Sequence, residues 1–381
     1  MQYRVLLFIQ LVTDLDLLLP LWHELESRTD IRIQPAILVA EELLQRSPAV
    51  RNALTSRNLP FESVTSKDII MGSWPKLDGI VSVVTATETT LRPHAAAHAL
   101  TKRANSLGIP TYTLQHGFEN VGLTYFDETQ TSMMVEFASG TIFTWGPIEK
   151  LHPEIRKETR DRCTPVGCTK SIDRSTRLPK PGGRARLIAV FENVHWHRYD
   201  DTYRSSFLSD LEHAARSFPG TTFFVKPHPG GKWMTSRYTG DLPRLENLII
   251  ANPDDASWAR YTASDLIAIA DGVITTPSTV ALDSARFGCP VAVVAYLLPL
   301  VEYAPLCLIR SSGDWEEFLR RLEHEGGISA LKQNASEFLD ANLIAGDASG
   351  RIIDRIAADI RRTLPSTASR QPELSSIEKP K

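Results

Sequence analysis

The chain lacks the marks of a nucleic-acid binder, a secreted disulfide scaffold and a membrane-spanning protein. Its 42 Lys and Arg are answered by 45 Asp and Glu, a net charge of −3, so no overall basic field draws it onto DNA or RNA. Four cysteines in 381 residues are too few for a disulfide framework, and Cys163 and Cys168 have no second Cys/His pair with which to hold zinc. They read as reduced thiols of a cytoplasmic protein. No apolar run reaches the roughly 18 residues that span a bilayer. The apolar N-terminus is broken by Asp14 and Asp16 and is followed by no small-residue cleavage site, so it reads as a first strand and helix. Any membrane contact is expected to be peripheral, at the inner face of the cytoplasmic membrane. Gly (21) and Pro (24) are ordinary in number, which excludes fibrous repeats and global disorder. The chain also has no G-x-x-x-x-G-K-[ST] loop, no G-x-G-x-x-G after a strand and no G-x-S-x-G. Nucleotide hydrolysis, redox chemistry and ester hydrolysis lose ground accordingly.

What is present is an alternation of short apolar runs with helical patterns. Residues 4–9, 31–39, 79–84 and 111–114 read as strands, and 15–26, 41–57 and 93–107 as helices. A stretch rich in Thr, Ser, Pro, Lys and Gly ends in Pro179-Lys180-Pro181-Gly182-Gly183 and buries nothing. The alternation then restarts, with strands at 187–191, 221–225, 248–251, 272–275 and 291–295 and closing helices at 315–323, 328–339 and 350–364. The expected organisation is a first α/β domain over 1–167, a linker over 168–186, a second α/β domain over 187–363 and a disordered tail over 364–381. Near-continuous apolar strands between helices imply parallel sheets covered on both faces. Two such Rossmann-like, doubly wound domains present their crevices at the carboxyl ends of the strands, so a ligand in the central cleft is gripped from both sides.

The sequence places its distinctive residues at those strand ends. One strand runs into Lys226-Pro227-His228-Pro229-Gly230-Gly231, where two prolines hold an imidazole beside a lysine, an arrangement suited to phosphate; a plain turn is the alternative. Another runs into Gln115-His116-Gly117-Phe118-Glu119, which offers an amide, a His for acid/base work and a flexible Gly on the acceptor side; a structural loop histidine is the alternative. A third leads to Thr276-Pro277-Ser278-Thr279, hydroxyls at a helix N-terminus that fit an anion or serve as an ordinary cap, with Asp283 one turn on. In the loop 192–198, Trp196 is placed to stack on a base or sugar, or is merely solvated. His195 and His197 lack the further ligands that a metal requires. Asp14, Glu88 and Glu119 are carboxylates near strand ends and candidates for a general base.

In combination, Gln115-His116-Gly117, Lys226-Pro227-His228-Pro229 and the block Ser278-Thr279, Asp283, Gly288-Cys289-Pro290 resemble the CDP-glycerol glycerophosphotransferases of teichoic acid synthesis and related capsule and lipopolysaccharide transferases. The resemblance runs mainly over residues 186–362 and, before that, around His116. It implies a GT-B-like architecture with the nucleotide held chiefly by the second domain, the acceptor by the first, and no metal. By position it implies that His116 acts on the acceptor hydroxyl, that His228 meets the donor phosphate and that Ser278 and Thr279 bind the nucleotide's phosphates. Bacterial sialyl- and Kdo-transferases, which use CMP-linked donors, share the HP and Ser/Thr motifs.

The resulting expectation is a metal-independent, inverting transferase without a cofactor. Its substrate is a nucleotide-activated donor, with cytidine the candidate base, and its acceptor a glycan or lipid-linked glycan of the cell envelope. His116, His228 and Glu119 are the expected catalytic residues. Lys226, Ser278, Thr279, Pro277, Asp283 and Trp196 are expected on the donor, and Gln115 and Gly117 on the acceptor side. An epimerase-like enzyme and a binding protein without turnover are the alternatives.

Overall fold

The computed structural model describes residues 3–29, 33–86, 88–119, 135–176, 178–228, 231, 233–252 and 255–363. Among these residues thirteen strands form two sheets. The first contains β1 (Tyr3–Ile9), β2 (Ile33–Ala40), β3 (Phe61–Val64), β4 (Ile80–Thr85), β5 (Thr111–Leu114), β6 (Thr141–Thr144) and β7 (Cys163–Pro165) in the order 3-2-1-4-5-6-7. The second contains β8 (Arg186–Glu192), β9 (Thr221–Pro227), β10 (Leu248–Ile250), β11 (Gly272–Thr275), β12 (Val291–Val294) and β13 (Cys307–Ile309) in the order 10-9-8-11-12-13. Pairings such as Leu7↔Val84 and Val190↔Ile274 are parallel. Both sheets are therefore doubly wound α/β layers, as the alternation of the sequence implied.

Strand formation follows burial. Val5 to Ile9 and Leu187 to Val190 are apolar and buried on both faces, as a parallel sheet between helix layers requires. The first helix, Val12–Ser27, starts where the Asp14 carboxylate accepts the Gln10 and Leu11 backbone N–H groups at 2.9 and 2.8 Å. It then buries Leu17, Leu18, Leu21, Trp22 and Leu25 against the first sheet. The expected helix 41–57 is two helices, Glu41–Arg46 and Pro48–Ser56. Ser47 ends the first and caps the second by accepting Val50 N–H, and Pro48 occupies the first helical turn.

The last helix, Ala348–Thr363, follows the second sheet in the chain but packs on the first domain. Its apolar stripe of Ile352, Ile353, Ile356 and Ile360 is buried, and it lies against the helix Val12–Ser27. Tyr112 Oη donates to Asp359 at 2.8 Å, and Arg351 donates twice to the Val166 carbonyl at 2.6 and 2.9 Å. Two glycines permit the crossing. A Cβ on Gly146 would lie 2.3 Å from the Asn342 carbonyl oxygen, and one on Gly167 (φ +96°) 2.5 Å from that of Ile344. Only a residue without a side chain lets the two backbones meet there. The tail from residue 364 lies outside the described residues.

Candidate functional site between the two sheets

In each sheet the strand order reverses at one place, between β1 and β4 and between β8 and β11, and a doubly wound fold opens its crevice at such switch points. The loops that follow these strands and their neighbours carry most of the residues singled out above. They meet across the seam between the domains. The Phe118 backbone N–H donates to Thr279 Oγ1 at 3.0 Å, Arg198 donates to both oxygens of Glu119 at 3.0 and 2.8 Å, and Lys170 Nζ lies 3.2 Å from Asp283 Oδ2. The Phe118 ring stands edge-on to Tyr303 and Phe338, centroids 5.1 and 5.0 Å away.

In the first domain, Gln115 shapes its own loop. Its Nε2 donates to the Gly117 carbonyl at 2.7 Å and its Oε1 accepts Trp145 N–H at 2.9 Å, so both ends of the amide are used within the domain. His116 beside it has no side-chain hydrogen bond among the described residues. Its ring stands edge-on to His94 at 5.7 Å, and His94 Nδ1 is 2.7 Å from Thr89 Oγ1. Burial pushes the pKa of His116 down to about 3, with His94 and Lys170 adding to the effect, and burial takes His94 down to about 4. Both imidazoles are neutral at physiological pH, the state in which His116 accepts a proton.

The second-domain loops are arranged around a pair of histidines. The His195 and His228 rings lie 4.9 Å apart, with Trp196 5.0 Å from His195. Gly231 makes room for this: a Cβ there would sit 2.0 Å from the His195 ring. Burial lowers the pKa of His195 to about 4, and lowers that of His228 although its side chain reaches solvent at the rim of the cleft. Beneath them, Glu192 accepts Val194 N–H at 2.9 Å, its carbonyl accepts His228 N–H at 3.0 Å, and burial raises its carboxyl pKa to about 7. Pro229 and Gly230 of the same motif lie outside the described residues.

At the helix Thr279–Phe287, Ser278 caps the first turn by accepting Val280 N–H at 3.2 Å and exchanges a hydrogen bond with Thr275 Oγ1 at 3.0 Å. The Pro277 carbonyl accepts from Asn193 Nδ2 at 3.0 Å, which ties this loop to the one after β8. Lys226 sits in the field of Asp265, against burial that lowers its pKa. Among the described residues no cluster of three or more His, Cys, Asp and Glu is arranged to hold a metal.

Several carboxylates have occupations other than general base. Glu119, expected to be catalytic, is buried and clasped by Arg198, so its oxygens serve a bridge between domains. Asp14 caps a helix. Glu88, also fully buried, binds His98 Nδ1 at 2.5 Å and accepts from Ala138 N, Ser139 N and Ser139 Oγ. Asp283 orients Lys170. That lysine, in the linker, escaped the reading of the sequence. Burial works against its charge, but Asp283, Cys168 and Asp16 outweigh it and raise its pKa, which leaves a cation in the electrostatic range of His116. Phe118 and Arg198 were likewise not recognised as the groups that join the halves. A cavity of about 750 Å³ lies elsewhere, at the opposite edge of the second sheet, lined by Arg186, Gly220, Asp271 and Cys289.

The sequence matches no family model and no curated protein. Solved structures do share its fold. A putative UDP-N-acetylglucosamine 2-epimerase from Listeria monocytogenes superposes with a TM-score of 0.67 at 12% identity, over 95% of this chain and 98% of that one. The UDP-GlcNAc 2-epimerase from Neisseria meningitidis, bound to UDP-GlcNAc, gives 0.62 at 12% identity, over 93% and 100%. The wall teichoic acid polymerase TagF, soaked with CDPG, gives 0.58 at 14% identity, over 95% and 90%. The two parallel-sheet domains are thus GT-B-like.

Proposed function

We propose that the protein is a transferase for a nucleotide-activated sugar or glycerophosphate-type group. In this reading the second-domain loops hold the donor, and His116 receives the proton of an acceptor hydroxyl on a cell-envelope glycan or lipid-linked glycan. The observation that carries it is the placement of His116: an imidazole with no side-chain hydrogen bond among the described residues, at the seam where two doubly wound sheets present their strand ends. The acceptor oxygen forms a bond to the transferred group as the bond to the nucleotide's phosphate oxygen breaks. The electron pair leaves with the nucleotide, and the hydroxyl proton passes to His116. An anionic donor in the cleft raises the imidazole's basicity from its low resting value, because nearby negative charge favours the protonated form. His228 and the N-terminus of the helix Thr279–Phe287 are suited to the donor phosphates, and Lys170 to negative charge that develops near His116. Ligands named for the structural neighbours, UDP-GlcNAc and CDPG, support a nucleotide-activated donor.

A second reading, epimerisation of a nucleotide sugar, is favoured by the full-length likeness to 2-epimerases. Incubation with UDP- and CDP-activated donors, with and without a glycan acceptor, separates the two. Transfer gives nucleotide release that depends on the acceptor; an epimerised sugar without an acceptor requirement overturns it. Thermal shifts with CMP, CDP, UDP and GDP identify the base, since a ligand bound to the native state raises apparent stability by mass action. Equal shifts from all four count against a cytidine preference.

A further inference from the structure

Four of the nine large hydrophobic side chains that are exposed among the described residues lie close together on the first domain: Ile70 (52% exposed), Met71 (74%), Trp74 (39%) and Leu107 (62%). Ile70 and Met71 end the helix Ser66–Met71, and Leu107 caps the helix Ala95–Ser106, which packs against it. Arg103 joins them. Its guanidinium donates to the Pro75 carbonyl and its Cδ lies 4.0 Å from where a Cβ of Gly72 would be; Leu107 is one turn further along the same face. The charges around the patch are in basic excess. Segments 65–78 and 95–108 supply Lys67, Lys76, Lys102 and Arg103 against Asp68 and Asp78, and Asp68 is engaged by the Thr65 and Ser73 hydroxyls. Lys67, Lys76 and Lys102 are exposed and make no ion pair among the described residues.

We infer that this patch docks the protein on an anionic lipid bilayer, with Ile70, Met71, Trp74 and Leu107 entering the interface and the lysines facing the headgroups. Exposed aliphatic side chains with an indole and a basic frame have the composition of an interfacial anchor, in which apolar burial and attraction to anionic lipid act together. The near-neutral net charge does not oppose this, because such attraction falls off within a Debye length and is set by local charge. A second copy of the chain fits less well. Four side chains fall far short of the roughly 800 Å² per partner of a stable interface, and a two-fold contact would set lysine against lysine. Both helices end at the amino edge of the first sheet, so the anchor lies at the edge opposite the strand-end loops and leaves the cleft accessible.

The test is co-sedimentation of the full chain with vesicles of phosphatidylcholine alone or with added phosphatidylglycerol, at low and high salt. Wild type is expected to pellet with the anionic vesicles only, less so at high salt. M71S/W74S/L107S and K67E/K76E/K102E are each expected to bind roughly tenfold or more weakly. Wild type that stays in solution with both vesicles, binds both equally or is matched by the two variants overturns the inference. So does a wild-type dimer that M71S/W74S/L107S dissolves in sedimentation velocity. Nucleotide release in solution is expected to be unchanged in both variants, so failure here leaves the transferase reading standing and the reverse also holds.

Discussion

The two histidine loops of the cleft are held in different ways. The loop of His116 is shaped by Gln115 within its own domain and braced from the other: Phe118 packs on Tyr303 and Phe338, its N–H reaches Thr279, and Glu119 is clasped by Arg198. The loop of His228 is fixed from within, by the Glu192 carbonyl below, the His195 ring beside it and the space left by Gly231. The His116 side of the candidate site is thus completed by domain docking, whereas the His228 side is formed largely by its own sheet. A fault at the seam should therefore reach His116 first and leave nucleotide binding largely intact.

Phe118→Ala breaks this contrast most severely. It removes a buried ring from the aromatic seam and is expected to cost about 3–5 kcal/mol in urea unfolding, with nucleotide affinity preserved at temperatures where the protein remains folded. Gly231→Ala attacks the other half. The added methyl collides with the His195 ring, at an expected cost of about 1–3 kcal/mol and with weakened nucleotide binding measured by calorimetry.

Acid sharpens the comparison next. His94 titrates near 6.5 when unfolded and about 4 when folded, so between these values the unfolded chain binds a proton that the native one does not. Stability therefore falls as pH drops below 6.5 and is unaffected by this group above it. Between pH 6.5 and 5 the loss is about 2 kcal/mol for one such imidazole. Urea midpoints at pH 7.5 and 5.0 measure it, and the drop should shrink in His94→Gln. His116 and His195, at about 3 and 4, act in the same direction. Thr279→Val has the smallest effect. It deprives the Phe118 N–H of its acceptor for about 1 kcal/mol of stability and is expected to lower turnover more than nucleotide affinity.

The long strands β1 and β8 were legible because their burial is written into five consecutive apolar residues, and short ones such as β5 and β11 because Gly and Pro set them off from neighbouring helical patterns. The strands β3, β6, β7 and β13 were not legible. In β3 and β7, Glu62, Ser63 and Pro165 interrupt the apolar pattern, which the positions of these strands at the two edges of the first sheet tolerate. The split at Ser47-Pro48 was written in cap chemistry that a mostly helical pattern obscured. In the site, His116 and His228 stood out because Gly and Pro mark strand ends. Lys170 did not, because its neighbours are linker residues and its role depends on Asp283, 113 positions away. Glu119 and Glu88 looked like available carboxylates for the same reason: Arg198 and Ser139, which occupy them, become neighbours only through folding.

The most direct test of the account compares His116→Ala with His228→Ala in donor binding and in acceptor-dependent nucleotide release. The account predicts that His116→Ala loses about 10²-fold or more in turnover while it binds donor nearly as wild type does, and that His228→Ala loses donor affinity as well as turnover. Full activity in both variants would contradict it.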